Sequence, residues 1–458
     1  MSIDTRPTTP GTDSKKTPNS RRARPASRTI AGSVVAGAAT ALGLTLGVFP
    51  GATESVTTGA VLIAFGIGWA LLAVLSTRRT SQPQRWALVP AGAMATAGML
   101  LWAFRPGNAA LTTLNWVWPV AMTGLVAWMI LQVKRHTAGY GRWALTAVVA
   151  VLGVASLGAT YENIAAAHDG SSYPAPGRMI EVNGHRMHLD CHGHGSPTVV
   201  LFNGMGEVTA SWSRITTVVS RTGRVCAFDR AGQGWSEDAR RPQDGVTAAK
   251  DLHTLLSRAG EQGPFVLAGH SIGGTYAMTY AARYPAQVAG MVLLDSSSPE
   301  QFTRMSAYPG QYAALRRIYG LLPTLDRLGV GRAATAVAPS HLPAAAARQV
   351  RAVTVTAHGA RNQRDEASML HQIFGQAQAL TSLHGQPLVV LTASASLDDK
   401  DWAGAQDALA ALSGNHLHEV VQSSHMGLLE DPTPAARSIR AIGSVVEAVR
   451  SGSPIESR

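Results

Sequence analysis

Five stretches of this sequence carry no Asp, Glu, Lys, Arg or His: about 29–49, 55–77, 86–104, 115–133 and 143–161. Each is close to the roughly 20 apolar residues that cross a bilayer. Backbone polar groups at that depth must be satisfied within the segment, so each reads as a transmembrane helix. Trp86, Trp102, Trp116, Trp118, Trp143 and Tyr161 lie near segment ends, where amphipathic rings favour the headgroup level. Ionisable residues inside spans mark ion and proton pathways. Their absence here argues against an ion-coupled transporter. The plain expectation for residues 29–161 is a membrane domain that anchors the C-terminal half of the chain.

The formal charge of +11 first suggests a nucleic-acid binder. Its distribution argues otherwise. Residues 1–142 hold 14 Lys/Arg against 3 Asp/Glu, whereas residues 143–458 hold 25 of each. The excess sits in short loops: Lys15, Lys16, Arg21, Arg22, Arg24 and Arg28 in the tail, Arg78, Arg79 and Arg85 in the second loop, and Lys134, Arg135 and Arg142 in the fourth. The first and third loops offer only Arg105, with Glu54 opposing. Cytoplasmic loops are the basic ones. The pattern predicts a cytoplasmic N-terminus and, after five crossings, an extracytoplasmic C-terminal half. No nucleic-acid partner is expected. Residues 1–28, rich in Pro, Thr, Ser and Arg, read as a disordered tail.

Residues 162–177 are small and polar and read as a linker. Beyond them the pattern changes. "RMIEVNGHRMHLDC" predicts a hairpin turning at Asn183-Gly184. "TVVLFN" (198–203), "VCAFD" (225–229), "FVLAGH" (265–270), "MVLLD" (291–295) and "LVVLT" (388–392) are short apolar runs, mostly succeeded by helix-like stretches. Such runs predict a mostly parallel sheet covered on both faces. Chemistry in these sheets gathers at the carboxyl ends of the strands.

"FVLAGHSIGG" places Ser271 where a strand turns into a helix over 272–284, with Gly269 and Gly273 two residues to either side. This G-x-S-x-G pattern is a nucleophile elbow, a strained turn that bulky neighbours would obstruct. A serine hydroxyl needs a base, and the base an orienting group. His425, in "VVQSSHMGLLEDP", is the best base, and the chain order of Ser, acid, His suits this architecture. For the acid, Asp398 is the first choice and Asp399 the second, because both come after the strand at 388–392. Asp295, which ends "MVLLD", is the third. An oxyanion needs two backbone N–H donors. They are expected at Ile272 and, in the loop after "VVLFNGMG", at Met205. His185, His188, His192 and His194 invite a metal reading, but zinc sites have more specific ligand sets. No metal and no cofactor is expected.

Four motifs in order carry a resemblance: "VVLFNGMGEVTASW" (199–212), "RVCAFDRAGQGWSE" (224–237), "LAGHSIGGTYAMTYAARYPAQVAGMVLLDSSSP" (267–299) and "QSSHMGLLEDP" (422–432). Residues 178–450 resemble an α/β-hydrolase. Asn203-Gly204 departs from the His-Gly of many relatives, and the acid-bearing loop is longer than the common form. The resemblance implies an eight-stranded, mostly parallel sheet with helices on both faces. It also implies that residues 300–386, with helical periodicity, form a cap over the site. The family's strand order makes the second and fourth strands antiparallel neighbours, so Cys191 and Cys226 could pair as a disulfide. The implied activity is that of a membrane-anchored serine hydrolase cleaving an ester, or an amide, of apolar or amphipathic character. Two alternatives stay open: an acyltransferase on the same triad, and a sensor or scaffold whose hydrolase-like domain only binds a ligand.

Overall fold

The computed structural model describes residues 26–337 and 340–455. Residues 1–25 of the tail expected to be disordered lie outside that range, and 26–28 open the first helix. Among the described residues, five helices are long and apolar enough to cross a membrane. They are α1 (Ala26–Leu42, prolonged by a π-helical turn, Gly43–Val48), α2 (Glu54–Arg79), α3 (Leu88–Phe104, after a 3-10 turn at Arg85–Ala87), α4 (Asn108–His136) and α5 (Gly139–Ser172). They pack around an apolar cluster that includes Trp69, Leu72, Met129 and Leu145, and small residues let some of them approach closely. A Cβ on Gly98 would lie 2.6 Å from the Gly59 carbonyl, so α2 and α3 touch backbone to backbone. Their outer faces stay apolar: Leu100, Phe104, Val120, Val151 and Val154 are all exposed.

The loops separate by charge. The α2–α3 and α4–α5 loops meet at one end. There Gln84 Nε2 donates to the His136 carbonyl at 3.0 Å and the Ala138 N–H to Gln82 Oε1 at 3.1 Å. Arg78, Arg79, Lys134 and Arg135 close the helices at this end. The opposite end carries Glu54, Asn108 and Glu162, and it faces the rest of the protein.

Among the described residues, eight strands form one sheet in the order β1-β2-β4-β3-β5-β6-β7-β8. They are β1 (Arg178–Val182), β2 (His185–His192), β3 (Val199–Phe202), β4 (Val225–Phe228), β5 (Phe265–His270), β6 (Val288–Leu294), β7 (Leu388–Ala393) and β8 (His416–Val421). The β1–β2 and β2–β4 pairings are antiparallel and the remaining pairings parallel. The central strands are buried along their whole length, which is why they read as unbroken apolar runs. Cys191 lies directly opposite Cys226 across β2 and β4, and the two form a disulfide.

The sheet is flanked by α6 (Ser213–Val219), α7 (Gly245–Ala259) and α8 (Ile272–Arg283). After β6 come α9 (Gln301–Arg304), α10 (Tyr308–Asp326), α11 (Val330–Val337), α12 (Ala344–Thr354) and α13 (Ala357–Ala377). These five helices occupy the region expected to be a cap. The chain closes with α14 (Trp402–Ala410), α15 (Gly427–Glu430) and α16 (Pro432–Ser451). Leu252, Tyr276 and Phe374 of α7, α8 and α13 fill the core on one face, and Ile215 and Ile442 of α6 and α16 that on the other.

Residues 162–172 are not a linker. They extend α5, and Glu162 and Asp169 on that extension both hold the cap's Arg332, at 2.8 and 2.6 Å. A second cap arginine, Arg327, pairs with Glu54 at the start of α2 and donates to Asn108 Oδ1 at 3.2 Å. Thr58 and Thr324 add a hydroxyl contact at 2.8 Å. Arg327, Arg332, Glu54 and Glu162 are largely shielded from solvent. The cap is therefore seated on the helical half as well as on the sheet.

Candidate active site

Ser271 stands between β5 and α8 with φ 56° and ψ −129°. This backbone conformation is costly for a side chain bearing a Cβ. Its glycines explain how the turn closes. A Cβ on Gly273 would lie 2.1 Å from the Phe202 carbonyl, and one on Gly269 2.6 Å from Gly274 Cα. The Ser271 N–H donates to the Leu294 carbonyl at 3.1 Å, and its own carbonyl accepts from Ser297 N–H at 3.0 Å. The serine is thus tied to the residues that flank Asp295.

The structure brings Asp295, not Asp398, to His425. Asp295 Oδ2 lies 2.6 Å from His425 Nδ1. The carboxylate has no solvent exposure. Its remaining capacity is filled by the Ser396 hydroxyl at 2.5 Å, the Trp402 indole N–H at 2.9 Å and the Ala393 N–H at 3.1 Å. Burial alone would raise its pKa. The hydrogen bonds from His425, Ser396 and Trp402 outweigh it and hold the carboxyl below its ordinary 3.8. Asp398 and Asp399 fail for a geometric reason. After β7 the chain makes a tight turn, Ser394–Asp398, that carries Asp398 outward beside Ser423 and Ser424. Asp398 is exposed, and no hydrogen bond joins it to His425. Asp399 Oδ1 instead accepts from the Asp401 N–H at 3.1 Å, capping the next turn.

The loop after β3 is fixed on all sides but one. Asn203 is fully buried. Its amide nitrogen donates to the Phe228 carbonyl at 2.9 Å and Asp229 Oδ1 at 3.1 Å, and its oxygen accepts from Trp212 Nε1 at 2.8 Å. Its own carbonyl accepts from Arg230 Nη1 at 2.6 Å. The Gly204 N–H donates to Glu207 Oε2 at 2.6 Å, and its carbonyl accepts from Gln233 Nε2 at 3.0 Å and Arg230 Nη2 at 3.3 Å. The Met205 and Ile272 N–H groups, like those of Gly206 and Gly273, have no acceptor among the described residues.

Beneath the site lies a buried pair that sequence reasoning did not find. His270 Nδ1 contacts Glu207 Oε1, and His270 Nε2 lies 3.0 Å from the His425 carbonyl. The two histidine rings are 4.4 Å apart, centre to centre. Burial acts to lower the His270 pKa, but the Glu207 carboxylate overcomes it and raises the pKa above 6.5. Glu207 thus braces both the loop after β3 and the layer under His425. Arg230 was missed as well. It reaches from the loop carbonyls to Glu366 on α13, at 2.5 Å, and lies over the Tyr276 ring at 4.2 Å. The "FDRAGQG" run carried that signal, but an arginine after a strand has no fixed partner in sequence alone.

The hairpin histidines do not converge. His188 is buried against Asp229 Oδ2 at 2.8 Å, His192 pairs with Asp190 at 2.9 Å, and His185 lies 3.5 Å from Asp251. Each has a separate structural partner.

A nucleophile elbow and a histidine held by a buried carboxylate at the carboxyl ends of parallel strands match an α/β-hydrolase type of site. Residues 197–432, just over half of the chain, match the family described as alpha/beta hydrolase fold. The chain belongs to that family. An uncharacterized protein of Schizosaccharomyces pombe is 30% identical over 198 residues, covering 36% of this chain and 36% of its own. The putative carbamate hydrolase RutD of Azorhizobium caulinodans is 29% identical over 109 residues, covering 24% of this chain and 40% of its own. The chain spans less than half the length of the curated relatives it matches. The Cif epoxide hydrolase of Acinetobacter nosocomialis shares the fold at a TM-score of 0.50 and 14% identity, covering 62% of this chain and 96% of its own.

Proposed function

We propose that the protein is a membrane-embedded serine hydrolase that cleaves an ester of an apolar or amphipathic molecule through an acyl-enzyme. The observation that carries this reading is the His425–Asp295 bond at the strand ends beside a serine in a strained elbow. Because Nδ1 of His425 is committed to Asp295, Nε2 is the nitrogen free to act on Ser271. In the proposed step Nε2 takes the hydroxyl proton as Ser271 Oγ attacks the ester carbonyl. The oxyanion forms against the Met205 and Ile272 amides. Collapse expels the alcohol, protonated by His425, and leaves an acyl-serine. Water activated by the same nitrogen then releases the acid. Serine at this position fits ester chemistry better than the aspartate nucleophile of epoxide hydrolases.

The membrane assignment rests on the five helices and their apolar outer faces. The basic loops gather at the end remote from the sheet, and the rule that cytoplasmic loops are basic supports an extracytoplasmic catalytic half. A fluorophosphonate probe tests the chemistry. The full chain in detergent is expected to be labelled and Ser271→Ala is not. A folded wild-type protein that resists labelling would point to a ligand-binding scaffold instead.

A further inference from the structure

A cavity of about 300 Å³ lies where three parts of the chain meet. Gly107 and Asn108 contribute from the α3–α4 turn, Arg240 and Arg241 from the loop after β4, and Arg361 from the cap helix α13, with Arg230 also lining it.

Its charges do not cancel. Glu366, Asp238 and Asp365 line the cavity, and each already has a guanidinium partner: Arg230 at 2.5 Å, Arg361 at 2.7 Å and Arg364 at 2.5 Å. Arg240 and Arg241 are exposed and have no carboxylate partner among the described residues. Arg105, in the α3–α4 turn itself, is exposed too. The rim therefore carries two unneutralised guanidinium groups, Arg240 and Arg241, with Arg105 two residues before the lining Gly107 along the chain. Guanidinium groups bind phosphate oxygens in bidentate fashion.

Its position names the source of the phosphate. Helix α3 ends at Phe104, which is 77% exposed, above exposed Leu100 and Met99. The apolar outer face stops within one turn of Gly107. In the bilayer placement proposed above, the rim stands at the headgroup level.

We propose that this cavity holds the anionic headgroup of a phospholipid, with its phosphodiester on Arg240 and Arg241. The proposal rests on the membrane reading but not on the identity of the nucleophile. Arg230 in the cavity wall also holds the Asn203 and Gly204 carbonyls of the loop after β3, so the cavity borders a residue that fixes that loop.

Native mass spectrometry of the full chain in a neutral detergent tests it, with phosphatidylglycerol and phosphatidylcholine of equal chain length as probes. Retention of phosphatidylglycerol over phosphatidylcholine is expected. An arginine near a membrane surface contributes about fivefold in affinity. Arg240→Gln with Arg241→Gln should therefore weaken retention by roughly 25-fold, and Arg105→Gln by less. Both sites are exposed, and an unchanged melting temperature confirms folding. Equal retention of the two lipids, or unchanged retention in the double variant, overturns the site. Displacement by millimolar glycerol phosphate overturns the lipid as its occupant in favour of a soluble phosphate. Alkaline carbonate extraction of cell membranes reads the embedding separately, so its failure is distinguishable from failure of the site.

Discussion

The two halves of this molecule both bury apolar side chains but expose opposite things. In the sheet half, apolar side chains turn inward and buried polar groups are tied into networks, as Asn203, Asp295 and Glu207 are. In the helical half, side chains on the outside are as apolar as those within, and contact is made by an apolar cluster around Leu72, Met129 and Leu145 together with close glycine approaches and small polar pairs such as Thr123–Ser156. Ionic contacts of the helical half with the cap collect at one end, around Arg327 and Arg332. The sheet half obtains specificity from satisfied polar groups in a low-dielectric interior. The helical half adds close backbone approach to its apolar packing and keeps its charges at its two ends, one of which docks the cap.

That contrast can be broken from either side. The largest expected effect is on catalysis. Asp295→Ala should lower kcat/KM by about 10³–10⁴-fold, as loss of a triad carboxylate does, while Asp398→Ala leaves ester hydrolysis within about twofold. Full activity in Asp295→Ala would return the orienting role to another group. Next is the docking pair. Arg332→Ala strands Glu162 and Asp169, and removing one partner of a buried pair costs about 3–5 kcal/mol. Thermal unfolding in detergent should show the loss, and Glu162→Gln in the same background should restore part of it. No coupling between the two sites would mean that the cap does not depend on this end.

A smaller effect comes from packing. Gly98→Ala places a methyl group 2.6 Å from the Gly59 carbonyl and should lower the melting temperature of the full chain by a few degrees. An unchanged melting temperature would show that α2 and α3 separate freely. The smallest effect is titration under the site. His270 has a raised pKa in the folded state, so its contribution is fully present below 6.5 and fades as pH rises through the folded value. Glu207→Gln should flatten that alkaline decline in a denaturation series. An identical pH profile in the variant would assign the decline elsewhere.

Much of this was legible in the sequence, and for definite reasons. Charge-free runs of 19 residues or more announce helices that satisfy their own backbones. "VVLFN" and "FVLAGH" announce central strands because both faces of each are covered. Ser271 and His425 could be named because an elbow and a late histidine have local signatures. The Asn203 departure was visible but not its consequence: the amide forms four-way contacts with Phe228, Asp229, Gln233 and Trp212 that span both flanking segments. The expected linker failed because small polar residues can extend a helix when a distant partner receives them. Here that partner is Arg332, 170 residues from Glu162 along the chain.

What the sequence determined by itself was the kind of local structure at each point: spans, strands, the elbow, and the basic loops. Its period and composition encode those through short-range sterics and solvation. The tertiary structure alone decided which carboxylate meets His425, because β6 and β7 end at the same edge and only the path of the chain beyond each strand separates them. It also decided that the cap rests on both halves. Ion pairs such as Glu54–Arg327 join residues with no local signal for one another, and burial rather than sequence spacing selects them.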